Sequence, residues 1–349
     1  GGMTDPTKRI RLSSRSNMLK ATFTSPEKGD AFFRLYWSTP DFGNEPIPPK
    51  FLKHLPNENL AKGKTLRRGR QLAAEHRCFK CHANDAPVKG MPELAMDAPS
   101  FEGIGSRRGM DWMADWVLNP KKMRPSAKMP VMLHSSTAED DARSIGAYLG
   151  SLKSEQPPKS VSVDSDGISE GQALYKQLNC AACHTLEEEP AEKAKLAISQ
   201  AQRKFGQAGA LSAFLQNPQA HYKWIRMPNF GLTRKEANSL AAFLFSKSTP
   251  NKAISKTYDA SRIAAGKKLV SSQGCLNCHS MKLENSFSVV AISDLAKGCL
   301  ADSPEGSSAH FGFTSAERLA LRLFMKKGMA SLGQASLAEF ALRQTADSN

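Results

Sequence analysis

Residues 64–82 read KTLRRGRQLAAEHRCFKCH, residues 169–184 read SEGQALYKQLNCAACH, and residues 262–279 read RIAAGKKLVSSQGCLNCH. Each stretch ends in Cys-x-x-Cys-His: Cys78, Cys81 and His82; Cys180, Cys183 and His184; Cys275, Cys278 and His279. The flanks repeat as well. A glycine stands nine residues before the first cysteine in every copy (Gly69, Gly171, Gly266), and a leucine six before it (Leu72, Leu174, Leu269). The stretches read as short amphipathic helices that run into the motif. Glycine inside a helix costs about 1 kcal/mol against alanine, so its recurrence at one position suggests close approach of another helix.

The spacing is that of covalent c-type haem attachment. Two thiols two residues apart form thioethers to the two vinyl groups of one haem, and the next histidine reaches the iron as proximal ligand. Other chemistries share part of the pattern. A dithiol redox pair requires no following histidine. A zinc site takes thiolates from two such pairs, but these motifs lie 102 and 95 residues apart, so each would need a partner from another domain-sized unit.

Downstream, the first two units share Asn-Pro and then Met-Pro: Asn119-Pro120 leads to Met129-Pro130, and Asn217-Pro218 to Met227-Pro228. Proline ends the aromatic-rich helical stretch before it, and the methionine falls in an irregular loop where its thioether can face the open side of an iron. A final helix closes each unit, from Thr137 to Tyr148-Leu149, from Thr233 to Phe243-Leu244, and from Thr314 to Leu323-Phe324. Thr233 with Glu236 and Thr314 with Glu317 fit a capping box. The aromatic of this helix is expected to pack on the glycine of the first helix of its unit.

With these parts in order, each unit resembles a class I cytochrome c domain, over about residues 60–349. The resemblance implies a mainly α fold of three tandem class I domains, at 59–155, 165–248 and 257–349, after a β-strand remnant and linker at 1–58. It implies three covalently bound haem c groups, held by Cys78, Cys81, Cys180, Cys183, Cys275 and Cys278. The iron ligands would be His82 with Met129, His184 with Met227, and His279 with a sixth ligand of its own. The third unit has no Met-Pro. His310 precedes Thr314 by four residues, near the slot that methionine fills in the others, and is the candidate there. The alternatives are Met325 or Met329, a ligand from outside the unit, an open iron, or an ordinary loop histidine at 310. Met281 lies too close to His279 to cross the ring. Cys299, the odd cysteine, reads as a buried thiol, one half of a pair, or a thiolate ligand. Met110, Met113, Met123 and Met132 read as packing, with Met132 the main competitor to Met129. His76 and His134 read as solvated or structural.

Seven cysteines in 349 residues do not make a disulfide scaffold, and no run of about 18 apolar residues is present to span a bilayer. The net charge of +15 is spread as +3, +5, +3 and +4 over residues 1–59, 60–155, 156–250 and 251–349. That evenness argues against nucleic-acid binding, which concentrates charge in a patch or arm; it suits a solvated basic surface or the steering of an acidic redox partner. Residues 31–37 read as a buried strand and the proline-rich run after it as extended linker. Residues 31–54 resemble the closing strand and tail of a protective-antigen-type β-sandwich, which would add carbohydrate as a partner; a simple N-terminal hairpin is the plainer alternative. The opening Gly1-Gly2, without an apolar leader, reads as a fragment of a longer protein.

The expectation is a periplasmic or exported triheme cytochrome that passes single electrons between a dehydrogenase and another cytochrome or oxidase. The alternative is a haem enzyme of peroxidase type, with an open iron in the third unit fed by the other two haems.

Overall fold

The structure, a computed structural model, describes residues 10–20, 22, 24, 34–53, 55, 57–82, 96–187, 195–249, 259–288, 294–303, 306 and 308–327. The chain divides into two compact units, Gly1–Glu58 and Asn59–Asn349.

In the first unit, β1 (Tyr36–Thr39) and β2 (Phe42–Pro46) form an antiparallel hairpin with Tyr36 opposite Pro46 and Trp37 opposite Glu45. Trp37 anchors it: its ring lies 5.4 Å from Phe42 and 5.2 Å from Phe51, and its Nε1 donates to Glu45 Oε1 at 3.0 Å. Two expectations are corrected here. Tyr36 is exposed, because a two-stranded ribbon offers no second layer to cover it, and part of the expected linker pairs as β2. Residues 31–33 lie outside the described residues.

The second unit is mainly helical: α1 (Glu58–Glu75), α2 (Phe79–His82), α3 (Met110–Leu118), α4 (Pro120–Met123), α5 (Ala138–Ser151), α6 (Ser165–Gln177), α7 (Ala201–Phe205), α8 (Ala208–Gln216), α9 (Arg234–Ser246), α10 (Ala260–Ser272), α11 (Cys275–Cys278) and α12 (Ser315–Lys327). A two-residue parallel pair, β3 (His184–Thr185) with β4 (Leu196–Ala197), adjoins the second motif. The helix boundaries follow local chemistry. The side chains of Asp164 and Asp259 cap α6 and α10 by accepting from Gly167 N and Arg262 N, each at 2.8 Å. Capping boxes open α9 and α12: Glu236 N and Glu317 N donate to the threonine hydroxyls, and Thr233 N and Thr314 N donate back to the glutamates. α3 and α8 stop at Asn119 and Asn217, just before proline.

Three helix crossings organise the core. A Cβ at Gly171 on α6 would overlap the Ser239 carbonyl oxygen on α9 and stand 2.7 Å from Phe243 Cβ. At Gly266 on α10 it would meet the Ser144 carbonyl and Tyr148 on α5; at Gly69 on α1, the Ala320 carbonyl and Phe324 on α12. Each crossing needs glycine because the facing helix passes with its backbone in contact. The α6–α9 pair is the one expected within the second unit of the repeat. The other two differ from the expected pairing: Tyr148 covers Gly266 rather than Gly69, and Phe324 covers Gly69 rather than Gly266. The physical reason is equivalence. The first and third glycine helices present the same face, so spacing along the chain does not decide which closing helix each meets.

One core gathers Tyr175, Phe205, Leu211, Leu240 and Phe243. A second combines Phe101, Ile104, Met113, Ile145 and Leu149 with Val270 of α10. A third combines Leu72 and Ala73 of α1 with Leu300, Phe311, Phe313, Leu321 and Phe324. Among the described residues, no helix is long and apolar enough to cross a membrane.

Candidate haem-attachment sites

Each attachment turn is entered through one residue in the left-handed region: Arg77 (φ 56°), Asn179 (φ 51°) and Gly274 (φ 75°). At the end of α1 this makes a Schellman stop, with Cys78 N donating to Ala73 O at 3.1 Å and Arg77 N to Ala74 O at 3.2 Å. Asn179 N likewise donates to Lys176 O at 3.0 Å. A single turn follows. Cys81 N donates to Cys78 O and Cys183 N to Cys180 O, both at 3.2 Å, while His279 N donates to Cys275 O at 2.9 Å. Residues three apart on such a turn are surface neighbours, which sets the two thiols of each motif on one side. Asparagine and glycine at positions 179 and 274 were a readable signal for this bend; arginine at 77 hid it.

His279 is the most fully specified of the three histidines. Its Nδ1 lies 2.7 Å from the Pro99 carbonyl oxygen, and since a carbonyl only accepts, Nδ1 carries the proton and Nε2 is left as the ligating nitrogen. The ring stacks on Phe101 at 4.2 Å with 7° between planes. Burial pushes the His279 imidazole down to about 4, with the Pro99 bond opposing. Burial also lowers His184 below its ordinary value. Both are therefore neutral at pH 7, the form that binds a metal. Burial raises the Cys275 and Cys278 thiols to about 11 and about 12, and raises Cys78 and Cys180 as well. His82 ends α2 half-buried.

The distal candidates are distributed as follows. Met227 and Cys180 pack against the same core. Met129 packs against the core that also carries Cys275, Leu276 and Met281. His310 stands between Ala309 and Phe311, which pack with Cys78, Phe79, Cys299 and Met325. His310 pairs backbone to backbone with Val131, at 2.9 and 3.0 Å, and its ring centroid lies 3.8 Å from that of His134. Met113 is buried in the second core, and Met110 lies against Gly150. His76 is buried, with its ring edge-on to Phe311 and Phe313. Met329 lies outside the described residues.

A cluster of cations that sequence reading missed adjoins the helices α3 and α7. Burial pulls Arg107 down to about 10. Burial and the neighbouring Arg107 pull Arg108 down to about 9. Burial, then Arg108 and Arg124, pull Lys204 to about 7. Arg108 lies over the Phe205 ring at 4.4 Å, and Lys204 over Trp112 at 5.5 Å. Among the described residues no carboxylate pairs with Arg107, Arg108 or Lys204. Arg107 is buried and Arg108 and Lys204 half-buried, and such cations, facing no acid among the described residues, suit a ligand that brings its own carboxylates, as haem does with its propionates. Paired thiols, a neutral imidazole with its tautomer fixed, thioethers on the same cores and these cations together fit haem.

Residues 168–248 match the family model described as cytochrome c. This segment is a cytochrome c domain. It carries all but the first turn of α6, the second motif, Met227 and α9, and the family binds haem covalently for electron transfer. No solved structure matches the chain. The cytochrome c match lends the carbohydrate reading of the N-terminal segment no support.

Proposed function

We propose that the chain is an exported triheme c-type cytochrome, built of three class I-like modules, that relays single electrons between a dehydrogenase and a downstream acceptor. One observation carries the count of three. The glycine crossing nine residues ahead and the left-handed residue immediately ahead occur at all three Cys-x-x-Cys-His motifs, and one of those copies lies within the cytochrome c domain. Bound haem supplies one-electron chemistry; the chain supplies thioether anchorage, axial ligands and an apolar shell that tunes the potential. His82, His184 and His279 would hold the irons as proximal ligands, with Met129, Met227 and His310 as the distal ligands. The distributed charge of +15 favours an acidic redox partner. Export follows from the chemistry, since bacteria attach haem c outside the cytoplasm.

The test is expression with a c-haem maturation system, followed by intact mass and the reduced spectrum with and without carbon monoxide. The expected protein carries three covalent haems and does not respond to carbon monoxide. A chain with no covalent haem ends the proposal, and one or two haems end the triheme form. A carbon monoxide shift in about a third of the haem would replace the carrier with the open-iron enzyme.

A further inference from the structure

Resting on that reading, we infer that the haem modules exchange ligands across the chain: the haem attached at Cys275 and Cys278 takes His279 as proximal ligand and Met129, from the first repeat, as distal ligand. The haem of Cys78, Cys81 and His82 then has residues of 294–303 and 308–327 against it, while its own Met-Pro loop, among the described residues, stays tied to the end of α1 only beside the methionine, through Lys128, whose carbonyl accepts from His76 Nδ1 at 3.2 Å and whose Nζ pairs with Glu75 at 2.5 Å.

Four independent contacts place the third motif with the first repeat. The α10 crossing is made with Ser144 and Tyr148 of α5. The proton of His279 Nδ1 is held by Pro99, between the first motif and Met129 in sequence. Backbone bonds continue that seam, with Ala98 N donating to Cys278 O at 2.8 Å and Phe101 N to Ser280 O at 2.9 Å. Cys275 and Met129 flank one core that contains Val270. The cytochrome c domain shows the same relations within one repeat: Gly171 under Phe243, and Cys180 and Met227 on one core. The motif-to-methionine relation is therefore preserved in kind, while the partner repeat differs. The first motif has the complementary set. Gly69 lies under Phe324, Arg68 pairs with Glu317 at 3.0 Å, and Cys78 shares its core with Leu300, Phe311 and Phe313. The two bodies touch at their attachment turns, where Asn277 Nδ2 donates to Cys81 Sγ at 3.5 Å.

Ferrous haem with a methionine ligand gives a strongly ring-shifted methyl proton signal, and the whole chain is expected to give two. In the double variant Cys275→Ala, Cys278→Ala, exchange predicts loss of one of the two; pairing within each repeat predicts that both survive. In Cys78→Ala, Cys81→Ala the pattern reverses, with both signals kept under exchange. Should either variant fail to fold, the intact triheme chain decides through Arg262→Lys. Arg262 pairs with Asp140 at 2.7 Å, so carbodiimide treatment of the monomer should join the introduced amine to Asp140, read by peptide mass. A link from that amine to Glu317, or no link to Asp140, overturns the exchange. A parent chain without covalent haem would instead overturn the electron-carrier reading beneath it.

Discussion

His76 sits in an apolar slot, with Phe311 and Phe313 edge-on at 5.2 and 4.8 Å and Nδ1 donating to the Lys128 carbonyl at 3.2 Å. Burial, followed by the nearby Lys128 charge, pushes its pKa down to about 4; the Lys128 carbonyl and Glu75 oppose, and Lys121 adds to the depression. The unfolded value is about 6.5. Between the two, the unfolded chain holds a proton that the folded chain refuses, so acid favours unfolding. The contribution is intact above about pH 6.5 and is lost as pH falls to about 4, by about 3 kcal/mol in all. His76→Gln should be less stable than the parent at pH 7 and approach it toward pH 4, followed by denaturant midpoints of the holoprotein. A difference that stays constant with pH would show that the imidazole is not the titrating group. Gly171→Ala tests a different residue-scale constraint. Helix propensity favours alanine by about 1 kcal/mol, but the methyl would strike the Ser239 backbone carbonyl, which cannot rotate away as a side chain could. The net expectation is a loss of about 1–3 kcal/mol, and an unchanged or raised melting temperature would show that the crossing is looser than described.

At the scale of elements, the three closing helices carry the same kind of threonine in two roles. Thr233 and Thr314 accept from the backbone of Glu236 and Glu317 at 3.3 and 3.2 Å. Thr137 caps no backbone group; its hydroxyl donates to Asp141 Oδ2 at 2.8 Å, and α5 relies on Glu139, Asp140 and Asp141 in its first turn. Thr233→Ala and Thr314→Ala should each cost about 1 kcal/mol, and Thr137→Ala clearly less, read from thermal midpoints. Equal costs at all three would mean the caps contribute nothing beyond the charge of the first turn. This is also where sequence reading reached furthest. The motifs, the glycines, the proline stops and both capping boxes were legible because each depends on residues a few positions apart. The exchanged pairing was not, since it depends on a choice between two equivalent glycine faces, on α1 and α10. The cation cluster was hidden for a related reason: Arg107 and Arg108 stand about a hundred residues from Lys204 and meet it only when α7 reaches α3.

That last meeting governs the whole molecule. The cytochrome c domain docks on the first repeat at a few backbone-level contacts. Gly109 N donates to Lys204 O at 2.9 Å, Ser100 N to His221 O at 3.0 Å, and the Arg77 guanidinium to the Tyr222 hydroxyl at 2.8 Å, with an Arg203–Asp115 ion pair alongside. If electrons pass between haems, this seam sets the spacing and should be separable from the modules it joins. Gly109 is the position to disturb. Its backbone, at φ −71° and ψ 136°, is one that any residue adopts, so a side chain there costs α3 little on its own. A Cβ at Gly109 would run into the Arg203 carbonyl oxygen of the docked domain. Gly109→Ala should therefore leave haem content, ligand signals and helix content as in the parent while weakening the seam. Denaturant unfolding, followed at the Soret band and by far-ultraviolet circular dichroism, should change from one transition to two as residues 168–248 come free. Reduction kinetics should then split into phases, because the cytochrome c domain no longer equilibrates rapidly with its neighbours. A Gly109→Ala protein that unfolds in one transition at the parent midpoint would mean that the seam is held by Ser100, Arg77 and Arg203 without the Gly109 contact, and the next variant to make would be Tyr222→Phe, which removes the hydroxyl that accepts from Arg77 and leaves the Arg77 bonds to Met96, Asp97 and Glu75 in place.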